Sequence, residues 1–239
     1  MRTLDIDPSD ALSRRLWSSV ADLTEVLPAE WILVGGLMVQ LHAMEAGLDD
    51  VRVTQDIDVL GQARPRGALD TIHEALGREG FRSGLPDVDG FAHRYERDGL
   101  VVDVLAPDGV KPPATVGSGR LAIGIPGGSQ ALARQEAVAV TIDRRQFVLR
   151  RPTLLGAILI KARSLMVHRD PDAQREDLLL LLSLADDPRA MAAELRKSER
   201  GWLRKAEPRL KFEEPALIGA AARRRARLAF QLLLAERPA

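Results

Sequence analysis

The segment RVTQDIDVL, residues 52–60, constrains the fold most, because it combines the apolar pattern of a buried strand with two acidic residues. Side chains alternate between the two faces of a strand, so Asp56 and Asp58 project to one side while Ile57 and Val59 project to the other. Two neighbouring carboxylates repel each other and resist burial unless a cation neutralises them. The segment therefore predicts either a cation site or an edge strand with a solvated acidic face.

The pattern of apolar residues predicts an α/β (α+β) fold, with a mixed-sheet lobe over residues 1–150 and a helical lobe over 151–239. An amphipathic helix opens the first lobe, with a cap in the sequence DPSDA. Asp98-Gly99 predicts a hairpin, and a second hairpin joins AVAVTID to QFVLR. Between them, the Gly- and Pro-rich segment 107–128 is expected to be a long mobile loop. The other predicted helices lie at 66–77, 153–169, 171–185, 189–198 and 214–236.

Composition restricts the class of protein without identifying it. The chain has 239 residues, of which 34 are Lys or Arg and 34 are Asp or Glu, so no overall basic charge indicates a nucleic-acid partner. It has no cysteine, which excludes disulfides and thiolate metal sites. The first residues lack an apolar signal core, and no apolar run reaches the ~18 residues of a membrane span. We therefore expect a cytoplasmic protein without a membrane partner.

A third acid and a glycine pair extend the acidic segment into a candidate site. Asp103 stands alone among aliphatic residues in the predicted strand LVVDVL. If that strand lies beside DIDVL, three carboxylates converge, and such oxygen-rich sites suit Mg²⁺ (or Mn²⁺) together with substrate phosphates. Gly35-Gly36 falls between a strand and a helix, where backbone N–H groups can approach an anion. The combination fits a nucleoside triphosphate, although Asp103 could instead pair with an arginine.

These residues resemble a known family. VGGLMVQLHAMEAGLDDVRVTQDIDVL is similar to the nucleotidyltransferase signature of the DNA polymerase β superfamily, and most similar to the AbiEii/MenT-like toxins, with a longer spacer around EAGLDD. The likeness continues through residue 185. It implies a nucleotidyltransferase fold and a pyrophosphate-releasing transfer from an NTP. The implied catalytic residues are Asp56, Asp58, Asp103 and Lys161, of which the three acids are the metal ligands. The implied nucleotide-binding residues are Gly35, Gly36, Arg52, Thr54, Lys161 and Asp177.

Lys161 interrupts the otherwise apolar helix LLGAILIKARSLM. Its long stem could extend to the surface and leave the ammonium in water. The resemblance favours a cation for the triphosphate, with Asp177 orienting it. In both interpretations, we expect Lys161→Met to leave thermal stability almost unchanged. Thr54 is expected to form a local hydrogen bond that fixes the entry into the acidic strand.

The acceptor is not defined by the residues. The resemblance to toxins suggests RNA, such as a tRNA 3′ end, and a cognate antitoxin as a further partner. Basic clusters that could contact phosphates occur at Arg144-Arg145, at Arg150-Arg151, at Arg163 with Arg169, and from Arg223 to Arg227. A small-molecule or protein acceptor, or a non-catalytic binding protein on the same fold, remains an alternative.

Overall fold

The computed structural model describes residues 3–8, 10–28, 31–48, 51–64, 68–85, 91–111, 113–117, 119–167 and 171–235. The strands are β1 (Thr3–Asp5), β2 (Trp31–Val34), β3 (Asp56–Gly61), β4 (Arg82–Ser83), β5 (Arg94–Arg97), β6 (Leu100–Pro107), β7 (Thr115–Val116), β8 (Arg120–Leu121), β9 (Ile123–Ile125), β10 (Gln135–Ile142) and β11 (Arg145–Pro152). The helices are α1 (Ala11–Val26), α2 (Gly35–Glu45), α3 (Ala68–Arg78), α4 (Gly128–Ala133), α5 (Leu154–Ser164), α6 (Pro171–Ser183), α7 (Pro188–Glu194), α8 (Lys197–Leu210) and α9 (Ala220–Leu234). The predicted fold class is confirmed.

The main sheet has the strand order β2-β3-β6-β5-β4, and β9 pairs with β6. β3 and β6 are parallel, whereas β2 is antiparallel to β3 and β5 is antiparallel to β6. β3 is therefore an interior strand of this sheet rather than the edge strand that the sequence left open. A second sheet has the order β1-β10-β11, and β7 pairs with β8.

Local signals predicted several element boundaries correctly. Asp10 begins α1 as its N-cap, accepting a hydrogen bond from the Ser13 amide at 2.9 Å. At the predicted hairpin turn, Asp98 and Gly99 both have positive φ, at 51° and 76°. Two consecutive left-handed residues are what a two-residue turn needs to match the twist of its strands. That turn fixes the register between β5 and β6.

The prediction for residues 107–128 was wrong in its central part. This segment contains β7, β8 and β9, and α4 begins at its end. β9 pairs with β6 at Leu105–Pro107, beyond the point where β5 stops, so the backbone of β6 remains hydrogen-bonded to its end. Several of its glycines mark tight turns instead, because Gly109, Gly117, Gly119 and Gly127 have positive φ.

The C-terminal prediction was also incomplete. α8 (Lys197–Leu210) was missed, because its segment is strongly charged and only Leu203, Ala206 and Leu210 among its apolar residues are fully buried. The last helix begins at Ala220 rather than near residue 214. The predicted helix end at 169, and Arg169 itself, lie outside the described residues. β1, which pairs parallel with β10, was not predicted at all.

One continuous hydrophobic core extends from Ile6 to Leu233. Within this core, α2 contacts both the strands β2 and β3 and the helices α5 and α6. The proposed lobe boundary near residue 150 falls at the end of β11, and the division into two domains stays a prediction. Among the helices of the described residues, none is both long and apolar enough to cross a lipid bilayer.

Candidate active site

Three charged side chains form a row across the main sheet. Asp58 of β3 is in register with Asp103 of β6, which is in turn opposite Arg94 of β5. Residues in register on paired strands project to the same face, and Asp56 shares that face because it lies two positions before Asp58. The sheet therefore places the three predicted carboxylates on one side.

This row lies in a cleft of about 520 Å³ between the sheet and the helices α5 and α6. Its polar lining includes Arg52, Thr54, Asp56, Asp58, His93, Arg94, Asp103, Lys161, Ser164 and Gln174. Its apolar lining includes Val34, Leu105, Ile123, Ile125, Ile160 and Ala173. The cleft thus combines acids, cations and an aliphatic wall.

Positions 35 and 36 require glycine, because side chains of the acidic segment lie too close to the backbone there to leave room for a Cβ atom. Gly35 follows β2 directly and has a φ of +68°, and a Cβ added there would lie 1.7 Å from Asp58 Oδ2. A Cβ on Gly36 would lie 2.7 Å from Thr54 Oγ1. The backbone at the start of α2 is therefore in contact with the acidic strand. The first N–H groups of α2, which no side chain caps, lie beside the cleft.

Thr54 fixes the orientation of the first acid. Its hydroxyl donates a hydrogen bond of 2.8 Å to Asp56 Oδ1, and the residue is only 5% exposed. This bond is local, as the sequence led us to expect. It leaves the second oxygen of Asp56 available to a ligand in the cleft.

A buried ionic network underlies the helical side of the cleft. Lys161 Nζ donates to Asp177 Oδ2 at 2.7 Å and to Gln174 Oε1 at 3.3 Å. Arg52 donates to both oxygens of Asp177 at 3.2 Å. Burial acts to raise the pKa of Asp177, but the charges and hydrogen bonds of Lys161 and Arg52 outweigh it and lower that pKa. Asp177 is thus an ionised residue that holds two cations.

The surface interpretation of Lys161 is wrong. The residue is 4% exposed, and its ammonium lies in the network rather than in bulk water. Lys161 nevertheless lines the cleft, so the ammonium is held next to the space a ligand would occupy. Asp177 does not line the cleft and touches it only through Lys161 and Arg52.

Asp103 has the arginine partner that the sequence left open. Arg94 Nε donates to Asp103 Oδ1 at 3.1 Å, and Arg94 Nη2 donates to Oδ2 at 2.9 Å. Hydrogen bonding and charge attraction from Asp103 raise the pKa of Arg94 further. The pairing does not remove Asp103 from the site, because both residues line the cleft.

The surroundings of Asp58 disfavour its negative charge. Burial, followed by repulsion from Asp56 and Asp103, raises the pKa of Asp58 to about 7, and Lys161 and Arg52 offset only part of this effect. A cation in the cleft would relieve this repulsion.

Within the described ranges, no group of three or more His, Cys, Asp or Glu side chains is arranged to hold a metal ion unaided. Mg²⁺ needs no such cage, because it commonly binds one or two carboxylates and completes its shell with water and phosphate oxygens. Asp56 and Asp58 supply those carboxylates. The donor set therefore fits Mg²⁺ or Mn²⁺ arriving with a nucleotide.

Sequence reasoning missed Arg94 and Gln174 and set His93 aside as too poorly placed. All three line the cleft, and His93 Nδ1 is buried without a hydrogen-bond partner among the described residues. The sequence did contain a signal for Arg94. Residues equally far from the two-residue turn Asp98-Gly99 pair with each other across the hairpin, and this places Arg94 opposite Asp103. No comparable signal identifies Gln174, which enters the site through the packing of α6.

Comparisons with known proteins support the fold. No protein-family model matches the chain, and no curated protein matches its sequence. Among solved structures, an antigenic nucleotidyltransferase-like protein from Paracoccidioides brasiliensis is similar, with a TM-score of 0.52 and 16% sequence identity. The similarity covers 89% of this chain and 93% of that one. The chain therefore has a nucleotidyltransferase-like fold.

Proposed function

We propose that the protein is a metal-dependent nucleotidyltransferase, which moves a nucleoside monophosphate from an NTP to an acceptor hydroxyl and releases pyrophosphate. The observation that supports this most is the convergence of Asp56, Asp58 and Asp103 on one face of the sheet, with Asp58 directly beside Gly35. Phosphoryl-type transfers depend on positioning and on neutralising charge, and the cleft is built from groups that do both.

The nucleotide would lie with its phosphates between the two charged sides of the cleft. The N–H groups at Gly35 and Gly36 and the ammonium of Lys161 face this space, and Arg52 adds a second cation near Thr54. Asp177 keeps Lys161 in place, so its role is positioning. The sugar and base would rest on the aliphatic wall formed by Leu105, Ile123 and Ile125.

Asp56 and Asp58 would hold Mg²⁺ or Mn²⁺, and Asp103 is the candidate for a second ion. When bound, such an ion polarises the phosphoryl oxygens and shields their charge. Thr54 keeps the carboxylate of Asp56 turned toward the cleft. Asp103 lies beside Asp58, where a carboxylate can accept the proton of the acceptor hydroxyl.

For the acceptor, we propose RNA, such as a tRNA 3′ end, with a toxin role and a cognate antitoxin, on the basis of the family resemblance. The basic clusters give this limited support. Arg145 pairs with Asp22 and Glu25, Arg151 with Glu45 and Glu136, and Arg227 with Glu213. Arg224 and Arg225 of α9 remain exposed. A small-molecule or protein acceptor is the alternative within the same chemistry.

A second candidate is a non-catalytic binding protein on this fold. It is favoured by the Arg94–Asp103 pair, in which both carboxylate oxygens of a candidate catalytic acid already accept hydrogen bonds.

Transfer of a radioactive label distinguishes the two candidates. The protein is incubated with each α-³²P-labelled NTP, Mg²⁺ and total RNA, beside Asp58→Asn and a matched variant of an exposed acid, Asp186→Asn. We expect labelled RNA from the wild type and from Asp186→Asn only. Nucleotide binding without transfer to RNA, protein or small molecules would favour the non-catalytic candidate.

A further inference from the structure

The Arg94–Asp103 pair has a geometry that bears on metal loading. Each carboxylate oxygen of Asp103 accepts one guanidinium hydrogen bond, at 3.1 and 2.9 Å. Such a two-point pair is among the stronger and more directional contacts that a carboxylate can make. A metal ion needs one of the same two oxygens. Each carboxylate oxygen has two lone pairs, so an ion would share Asp103 with Arg94, and the adjacent guanidinium charge would repel it and weaken its binding.

Arg94 can move away from the pair more easily than Asp103 can. Its side chain is 48% exposed, whereas that of Asp103 is 10% exposed, so the arginine can swing into solvent while the carboxylate stays in the sheet. Asp58 and Asp103 are neighbours in register, and both repel additional negative charge. Arg94 thus supplies the positive charge next to Asp103 that this row of the sheet requires.

We infer that Arg94 occupies Asp103 in place of a divalent ion and competes with that ion for the carboxylate. The inference rests on the proposed function, because it takes Asp103 to be a metal ligand. An ion at Asp56 and Asp58 would leave the Arg94–Asp103 pair in place, whereas an ion at Asp103 would have to weaken or displace Arg94.

The test measures binding of Mn²⁺ alone to the full chain, from the loss of the free-ion electron paramagnetic resonance signal. Arg94→Gln removes the competing charge, so we expect its Mn²⁺ affinity to be at least tenfold higher than that of the wild type. Arg97→Gln is the matched control on the same strand. Arg97 stacks over Phe81 and donates to the Glu79 carbonyl, outside the cleft, and its substitution should leave Mn²⁺ affinity unchanged.

Two further variants keep the result interpretable. Arg94→Gln with Asp103→Asn should lose the gain, because the gain depends on the carboxylate that Arg94 releases. Arg94→Lys keeps the charge but has a single donor group, so it should bind Mn²⁺ more tightly than the wild type and less tightly than Arg94→Gln. Should Arg94→Gln fail to fold, this lysine variant decides the question by the same comparison.

The proposed competition would be overturned if Arg94→Gln bound Mn²⁺ no more tightly than the wild type does. Arg94 would then have no effect on ion binding, or would strengthen it. Such a result leaves the proposed transferase activity standing. If no variant and no wild-type protein binds Mn²⁺, with or without a non-hydrolysable NTP analogue, the competition and the metal-dependent function fail together.

Discussion

Lys161 Nζ lies 2.7 Å from Asp177 Oδ2, and the two side chains are only 6% and 3% exposed. The pair joins α5 to α6, and Arg52 extends it to the segment before β3. One carboxylate therefore connects three parts of the chain beneath the cleft. This arrangement makes Lys161 both a candidate ligand of phosphate and a structural residue.

Lys161→Met should destabilise the protein by about 2–4 kcal/mol, because it leaves Asp177 buried with Arg52 as its remaining partner. This differs from the expectation from sequence, that Lys161→Met would leave the stability of the protein almost unchanged. Chemical denaturation measures the loss, with the exposed Lys205→Met as the control. A double-mutant cycle with Asp177→Asn should give a coupling of about 1–3 kcal/mol. A coupling near zero would mean that the ion pair is absent in solution.

Gly35→Ala should abolish NTP binding, because the new Cβ would lie 1.7 Å from Asp58 Oδ2 at a φ of +68°. Gly47→Ala is the matched control, since Gly47 has a φ of +74° and no atom within 4 Å of its added Cβ. We expect the control to cost about 1–2 kcal/mol of stability, from backbone strain alone, and to keep NTP binding. Equal effects of the two variants on NTP binding would show that backbone strain, and not the contact with Asp58, limits position 35.

Asp58→Asn should stabilise the metal-free protein at alkaline pH. In the folded state the pKa of Asp58 is about 7, above the 3.8 of the free side chain, so the wild type loses stability as pH rises from about 4 to 7. The variant lacks this loss. We expect the variant and the wild type to be equally stable near pH 4. At pH 8 we expect the variant to be more stable by about 1–3 kcal/mol. This gain is smaller than the full pKa shift implies, because the carboxylate is partly exposed and solvent weakens the repulsion.

Thermal unfolding at several pH values in EDTA measures this difference. Added Mg²⁺ should then stabilise the wild type and not Asp58→Asn, since the ion neutralises the repulsion that the variant has already lost. A difference between the two proteins that does not change with pH would contradict the assignment of the repulsion to Asp58.

Thr54→Val should reduce nucleotidyl transfer roughly tenfold with a stability loss of about 1 kcal/mol, because the 2.8 Å hydrogen bond to Asp56 Oδ1 is lost while the shape is kept. Thr54→Ser retains the hydroxyl and should recover most of the transfer. Steady-state assays with the preferred NTP measure both variants. Failure of serine to recover activity would indicate that the methyl group of Thr54, and not its hydrogen bond, is what the site needs.

The sequence determined those features that depend on neighbours along the chain. Alternation within β3 puts Asp56 and Asp58 on one face, and the Asp98-Gly99 turn sets the register that brings Arg94 opposite Asp103. The positions of α1 and of the second hairpin followed from local patterns in the same way. In each case, the relevant forces act over a few residues, so the pattern of residue types is sufficient.

Only the tertiary structure decided how the charges are distributed. Lys161 and Asp177 are 16 residues apart, and Arg52 and Asp177 are 125 apart, so their pairing depends on how α5, α6 and the segment before β3 pack together. The same holds for β9, whose place in the sheet depends on where β5 ends. α8 escaped prediction because its stability comes from packing three buried apolar side chains, and the buried Glu199, rather than from a strong apolar pattern. Burial and pairing of charges are consequences of packing between distant segments, and a local reading of residue types does not contain that information.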